Sequence, residues 1–200
     1  MSTLKTTNIA HPSSASNNVV LASDGSATIA TLNSTTITGT TIQGVIKSGT
    51  AVASTSGTSI DFTDIPSWVK RITVMFNGIS SNGTSNFLIR FGSGSFDTSG
   101  YSSRNGSILG TTTDVSTDTS GHLITPSVTA ATNHSGTAIL SLIGSNTWIV
   151  NGTSQRSDGF VNTVVTTKTA LSGALDRIRI TTVNGTDTFD AGTINILYEG

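Results

Sequence analysis

The sequence predicts an all-β chain, and three observations carry that expectation. Charged residues make up only 10% of the 200 residues, and serine and threonine fill the space they leave. Threonine suits strands, because its branched Cβ packs well on a pleated surface. Glycine-containing turn signals recur at near-regular spacing from about residue 50 to the end. Between them, apolar and polar residues alternate: Ile72, Val74 and Phe76 against Arg71, Thr73 and Asn77, and Ile178 and Ile180 against Arg177, Arg179 and Thr181.

Residues 1–34 are polar, with two apolar islands, Leu4 with Ile9 and Val19-Val20-Leu21. This stretch lacks the apolar surface to fold alone. It reads as a flexible tail or as an extended arm that orders on a partner, with Leu4, Ile9, Val19, Val20 and Leu21 as its docking residues. Ser23-Asp24-Gly25-Ser26 is a turn signal within it. Residues 35–49, TTITGTTIQGVIKSG, place glycines at 39, 44 and 49 and apolar residues at Ile37, Ile42 and Ile46. Five-residue units of this kind need stacked neighbours to bury anything. They form either a short collar, most simply in a homotrimer, or a Thr/Gly-rich linker.

From residue 50 to 200 the expectation is an antiparallel β-sandwich, jelly-roll-like. Its strands are expected at 50–54, 58–63, 70–77, 86–91, 106–111, 122–129, 137–143, 147–150, 159–166, 176–183 and 193–198. Turns are expected at Ser56-Gly57, Ser81-Asn82-Gly83, Gly92-Ser93-Gly94, Ser120-Gly121, Ser135-Gly136, Asn151-Gly152 and Asn184-Gly185. Met75 interrupts the alternation of its strand, which predicts cover on both faces. Residues 65–69 suggest a single turn and 169–175 a loop.

Net charge is −1 and no basic patch is visible, which argues against nucleic acid. No apolar run is long enough to span a membrane, and no apolar segment near the start resembles a secretory signal. Assembly in a cytoplasm is expected. Cysteine is absent, so disulfides and thiolate metal sites are excluded. His11, His122 and His134 lack ligand spacing. No nucleophile elbow, phosphate loop or dinucleotide fingerprint occurs. Asp61 and Asp64, with Phe62 and Trp68 nearby, and Asp114 with Asp118 are the carboxylates worth testing for glycosidase or calcium chemistry. They read as turn and cap aspartates. No enzyme, metal or cofactor is expected. Tyr101, Arg104 and Asn105, in an expected loop, are candidates to stack on and hydrogen-bond a sugar. Trp148 is a weaker candidate, better read as core.

Several segments together resemble a known family: DFTDIPSWVKRITVMFNGISSNGTSNFLIRFGSG, then TSGY, NTWIV and RIRITTVNGTDTFDAGTINILYEG. They are similar to the carboxy-terminal β-domain of tail fibre and related virion proteins of tailed bacteriophages. STLKTTNIAHPSSASNNVVLASDGSATIATL is similar to the opening arm of short phage structural proteins, marine phages especially. The resemblance implies a homotrimer located on the virion, most simply on the tail. It implies an arm docked on a tail or baseplate adaptor and a distal domain that meets a host-surface glycan. A capsid decoration or head-fibre protein is the alternative.

Overall fold

The computed structural model describes residues 46–126, 129–130 and 132–200, together with residues 8–9, 19–21, 23 and 27–29. The chain divides into two compact units, residues 1–42 and 43–200. In the first, β1 (Asn8–Ile9), β2 (Val19–Leu21) and β3 (Ala27–Ile29) pair antiparallel in that order. Ile9, Val19, Val20 and Leu21 lie on these paired strands or at their ends. Leu4, Ile37 and Ile42 lie outside the described residues.

The second unit is built from two antiparallel sheets, a β-sandwich. Its strands are β4 (Ile46–Ser48), β5 (Val52–Ala53), β6 (Ser59–Phe62), β7 (Arg71–Ser81), β8 (Phe87–Ser93), β9 (Ser95–Phe96), β10 (Tyr101–Leu109), β11 (Thr112–Asp118), β12 (His122–Thr125), β13 (His134–Gly144), β14 (Thr147–Arg156), β15 (Val161–Lys168), β16 (Arg177–Thr182) and β17 (Phe189–Glu199). The larger sheet runs β11-β10-β15-β14-β13-β7-β17-β4, with β5 also paired to β17. The smaller runs β12-β8-β16-β6, with β9 on β8. No helix occurs among the described residues. The turn at 65–69 is present, closed by Val69 N–H donating to the Pro66 carbonyl at 3.1 Å.

One half of the interior is apolar. Ile72, Val74 and Phe76 of β7, Leu140 of β13, and Ile194 and Ile196 of β17 face Ile89 and Phe91 of β8 and Ile178 and Ile180 of β16. Phe87 stacks on Phe189 with ring centroids 5.4 Å apart. β7 and β16 follow the two-residue period read from the sequence, whereas β8 buries Phe87, Leu88 and Ile89 in succession. Met75 lies half-buried on the outer face between Thr137 and Asn195.

The other half of the interior is polar. The buried side chains of β10 are Tyr101, Ser103, Asn105 and Ser107, and those of β15 include Asn162, Thr166 and Lys168. Short β12 packs over them. Thr166 Oγ1 lies 2.8 Å from His122 Nδ1 and donates to Ser103 Oγ at 2.8 Å, and Ser103 Oγ accepts Leu123 N–H at 3.1 Å. Ser107 Oγ bridges the side-chain oxygens of Asn105 and Asn162 at 2.7 and 2.8 Å. The buried hydroxyls are paired in this way, although Asn105 Nδ2 in the same cluster has no partner among the described residues.

This polar lining overturns the strand expected at 106–111. Two strands, β10 and β11, meet there at a turn over Gly110-Thr111, and the inward residues are hydroxyls and an amide that an apolar-alternation test cannot register. The turns expected at Ser135-Gly136 and Asn151-Gly152 are also corrected, since both pairs lie inside strands β13 and β14. Glycine serves close approach here. A Cβ on Gly136 would lie 2.2 Å from the Thr153 carbonyl oxygen, and one on Gly152 would lie 2.8 Å from His122 Nε2. Gly106 faces open space. Gly136→Ala and Gly152→Ala should each destabilise the chain by about 1–3 kcal/mol, whereas Gly106→Ala should be neutral or mildly stabilising. Urea denaturation of the three variants measures this.

Burial drives His122 down to about 3 and His134 to about 4, Arg156 adding to the second shift. Both values lie below the unfolded histidine near 6.5, so the unfolded chain takes up protons first as pH falls. Their contribution to stability is intact above about pH 6.5 and is lost progressively between there and pH 3–4. At pH 5 the loss should be about 2 kcal/mol per histidine. Among the described residues His134 makes no hydrogen bond through either ring nitrogen, and it packs edge-on against Phe87. His134→Phe should therefore flatten the acid slope of the melting temperature by roughly half.

Candidate functional site

The four residues expected to meet a sugar do not converge. Tyr101 is 3% exposed and opens strand β10 instead of standing in a loop. Its hydroxyl accepts Phe91 N–H at 2.9 Å and donates to the Phe91 carbonyl at 3.0 Å. Lys168 Nζ lies 5.2 Å from its ring centroid and pairs with Asp97 at 2.9 Å. Burial pushes the phenol well above its ordinary value. Tyr101 thus pins β10 to β8 and presents no face to a ligand. Asn105 is buried on the same side of β10, while Arg104, between them, points to solvent. Alternation along a strand sends neighbours to opposite faces. Trp148 is core, 2% exposed.

Ile46, expected in a collar, lies on β4, an edge strand of the larger sheet, and is 64% exposed. Among the carboxylates, Asp61 lies on β6 and Asp114 and Asp118 on β11, so these three are strand residues and not turn aspartates. No group of three metal-ligating side chains forms among the described residues.

A different site emerges where the two sheets part. On one side, β4 and β5 follow the outer edge of β17 with a break between them. On the other, β6 is the edge of the smaller sheet. Between them lies an open groove of about 400 Å³, a size typical of ligand clefts. Its floor is Ile196, Val52, Phe62 and Tyr198, and its lips carry Thr50 and Thr63. Gly49 donates its N–H to the Ile196 carbonyl at 2.8 Å. A Cβ there would sit 3.0 Å from Ile196 Cγ1, so glycine keeps the floor open.

The chemistry of the groove comes from Tyr198 and Lys47. The register places them opposite one another, so both side chains take the inner face. Tyr198 is 8% exposed, its ring tilted against Trp68 with centroids 5.9 Å apart. Its hydroxyl has no hydrogen-bond partner among the described residues and is not one of the buried unpartnered atoms, so it is open to solvent or a ligand. Lys47 Nζ lies 5.9 Å from the same ring centroid. Asp61 also lines the groove, and both its oxygens accept from Arg179, at 2.8 and 2.6 Å. An aromatic surface, hydroxyls and a cation in a cleft of mixed polar and apolar lining can take a polar, ring-shaped ligand.

Sequence reading missed this set. It flagged Asp61 and Phe62 for another reason, and it placed Lys47 in a collar and Tyr198 in a terminal strand. In a chain so poor in charge the lysine was visible, but its cross-strand partner depends on β17 pairing with β4. Comparison with protein-family models, curated proteins and solved structures finds no match.

Tyr101→Phe should cost about 1–3 kcal/mol in thermal denaturation, because it leaves the Phe91 N–H unpaired, while the Phe91 carbonyl keeps the Asp97 N–H. It should leave any ligand affinity of the groove unchanged.

Proposed function

We propose that this chain is a virion fibre protein of a tailed bacteriophage that binds a host-surface glycan. The observation that carries the binding half is the open groove with the unpartnered Tyr198 hydroxyl and the Lys47 ammonium. The virion half rests on the resemblance of residues 61–94, 98–101, 146–150 and 177–200 to phage fibre domains. Residues of the first unit would dock on a tail or baseplate protein, and three copies would assemble as a homotrimer. Copies side by side turn weak sugar contacts into firm attachment. No catalytic step is assigned.

A second reading is a capsid decoration or head-fibre protein. One observation favours it. The outer face of the larger sheet exposes Ile108, Val115, Val161 and Val165 with Arg104 as the one charge among them. Such a face suits packing against another protein.

Gold labelling of intact virions with an antibody to residues 50–200 separates the two. Label on the tail is expected, and label on the capsid favours decoration. Purified full-length chain should also slow phage adsorption. Thr50→Trp, at the exposed lip of the groove, should abolish that competition without lowering the melting temperature. Competition that persists in this variant counts against the groove.

A further inference from the structure

Among the charged residues that line the groove, one is paired and one is not. Asp61 and Lys47 are the charged residues that line it. Asp61 is neutralised by the paired hydrogen bonds from Arg179. Asp64, next after the lip residue Thr63, accepts the Thr63 hydroxyl at 3.0 Å, and the nearby Arg177 is itself engaged by Asp176 at 2.7 Å, so Asp64 stays a carboxylate outside the groove lining. Lys47 has no such counterpart. Among the described residues its ammonium makes no ion pair and no hydrogen bond, and its contact is with the Tyr198 ring. An aromatic face holds a cation without neutralising it. Three N–H donors remain for a ligand.

From this geometry we infer that the groove takes an acidic saccharide, with its carboxylate on Lys47 Nζ and ring hydroxyls on Tyr198 Oη and Thr50. The inference rests on the glycan reading above and names its chemical class. A neutral sugar offers the ammonium only hydroxyl acceptors, weaker than the charge-assisted hydrogen bond that a carboxylate makes. A phosphate or sulfate group favours several donors, above all a guanidinium fork, and the guanidinium beside the groove is already engaged by Asp61. One ammonium matches one carboxylate. Hydroxyls at Thr50, Thr63 and Tyr198 suit a polyol better than a peptide side chain.

The test uses the full-length chain and three labelled probes: oligogalacturonate, alginate oligosaccharide and hyaluronan oligosaccharide. Each is paired with its carboxyl-reduced form, and hexaglutamate peptide is the control. Affinity is read by fluorescence polarisation at low and physiological salt. At least one acidic form should bind tenfold or more tightly than its reduced counterpart, with affinity falling as salt rises. Lys47→Gln should erase the difference, with circular dichroism and melting temperature unchanged, and Lys47→Arg should retain most of it. The inference is overturned if no acidic form binds, if acid and reduced forms bind alike, if Lys47→Gln keeps the preference, or if hexaglutamate binds as well as the best saccharide. Where a reduced saccharide binds and Thr50→Trp abolishes that binding, the glycan reading survives and the acidic class alone falls. Adsorption competition decides the glycan reading independently of this panel.

Discussion

The ladder between β7 and β17 is the constraint on which the second unit depends. β7 lies inside the larger sheet, third from its β4 end, and pairs with β13 on one side and β17 on the other. β17 in turn carries β4 and β5 on its far edge. Its register with β7 shifts twice, around Ala191. At that bend a Cβ on Gly192 would lie 2.6 Å from the backbone of Gly78 and Ile79, and its φ of +99° is one that side chains rarely tolerate. Bulged pairing lets one strand serve two jobs. The half after the bulge buries Ile194 and Ile196 in the core, and its end brings Tyr198 to the sheet's rim. Without that ladder neither the apolar core nor the meeting of Lys47 with Tyr198 exists.

A chain with so few charges and so many hydroxyls cannot line two full sheet faces with aliphatic side chains. The strand order solves this by segregation. Apolar residues gather under β13, β7 and β17, opposite β8 and β16. Hydroxyls, amides and His122 gather under β10 and β15, beneath β12. There the interior is held by side-chain hydrogen bonds of fixed geometry, which specify register as firmly as packing does. Arg156 and Lys168 extend the same logic to charge. Each buries its stem, engages a carboxylate (Asp158 and Asp97), and lies over an aromatic ring, Phe160 or Tyr101.

How much was legible in the sequence follows from that segregation. Strands of the apolar half, such as β7, β16 and β17, announce themselves through Ile72-Val74-Phe76, Ile178-Ile180 and Ile194-Ile196. Strands of the polar half do not. β10 alternates Ser103, Asn105 and Ser107 against Ser102 and Arg104, and to a hydrophobicity test both faces look alike. The strand glycines misled for a related reason. Asn151-Gly152 has turn composition, yet Gly152 is small because His122 stands over it. The Asn184-Gly185 turn was read correctly, with Gly185 at φ +69°. Local signals sufficed where the cause was local. The groove was hidden because its cause is the pairing of strands remote in sequence.

The position of the groove also bears on what it can do. A sandwich closes most tightly between its central strands, and its sides open where edge strands are short or broken. β6 has four residues, and β4 and β5 are interrupted between them. The opening is therefore a product of edge design and not of a cavity carved into the core, so a ligand can enter without disturbing the hydrogen-bonded interior. An open cleft with one free cation binds weakly, because water and salt screen the contact. Selectivity can still be high. Arg179 and Arg177 nearby are engaged by Asp61 and Asp176, so among the described residues Lys47 is the cation left to meet an anion in the groove. Weak but selective contacts gain most from repetition, which is how a fibre protein present in many copies would use such a groove.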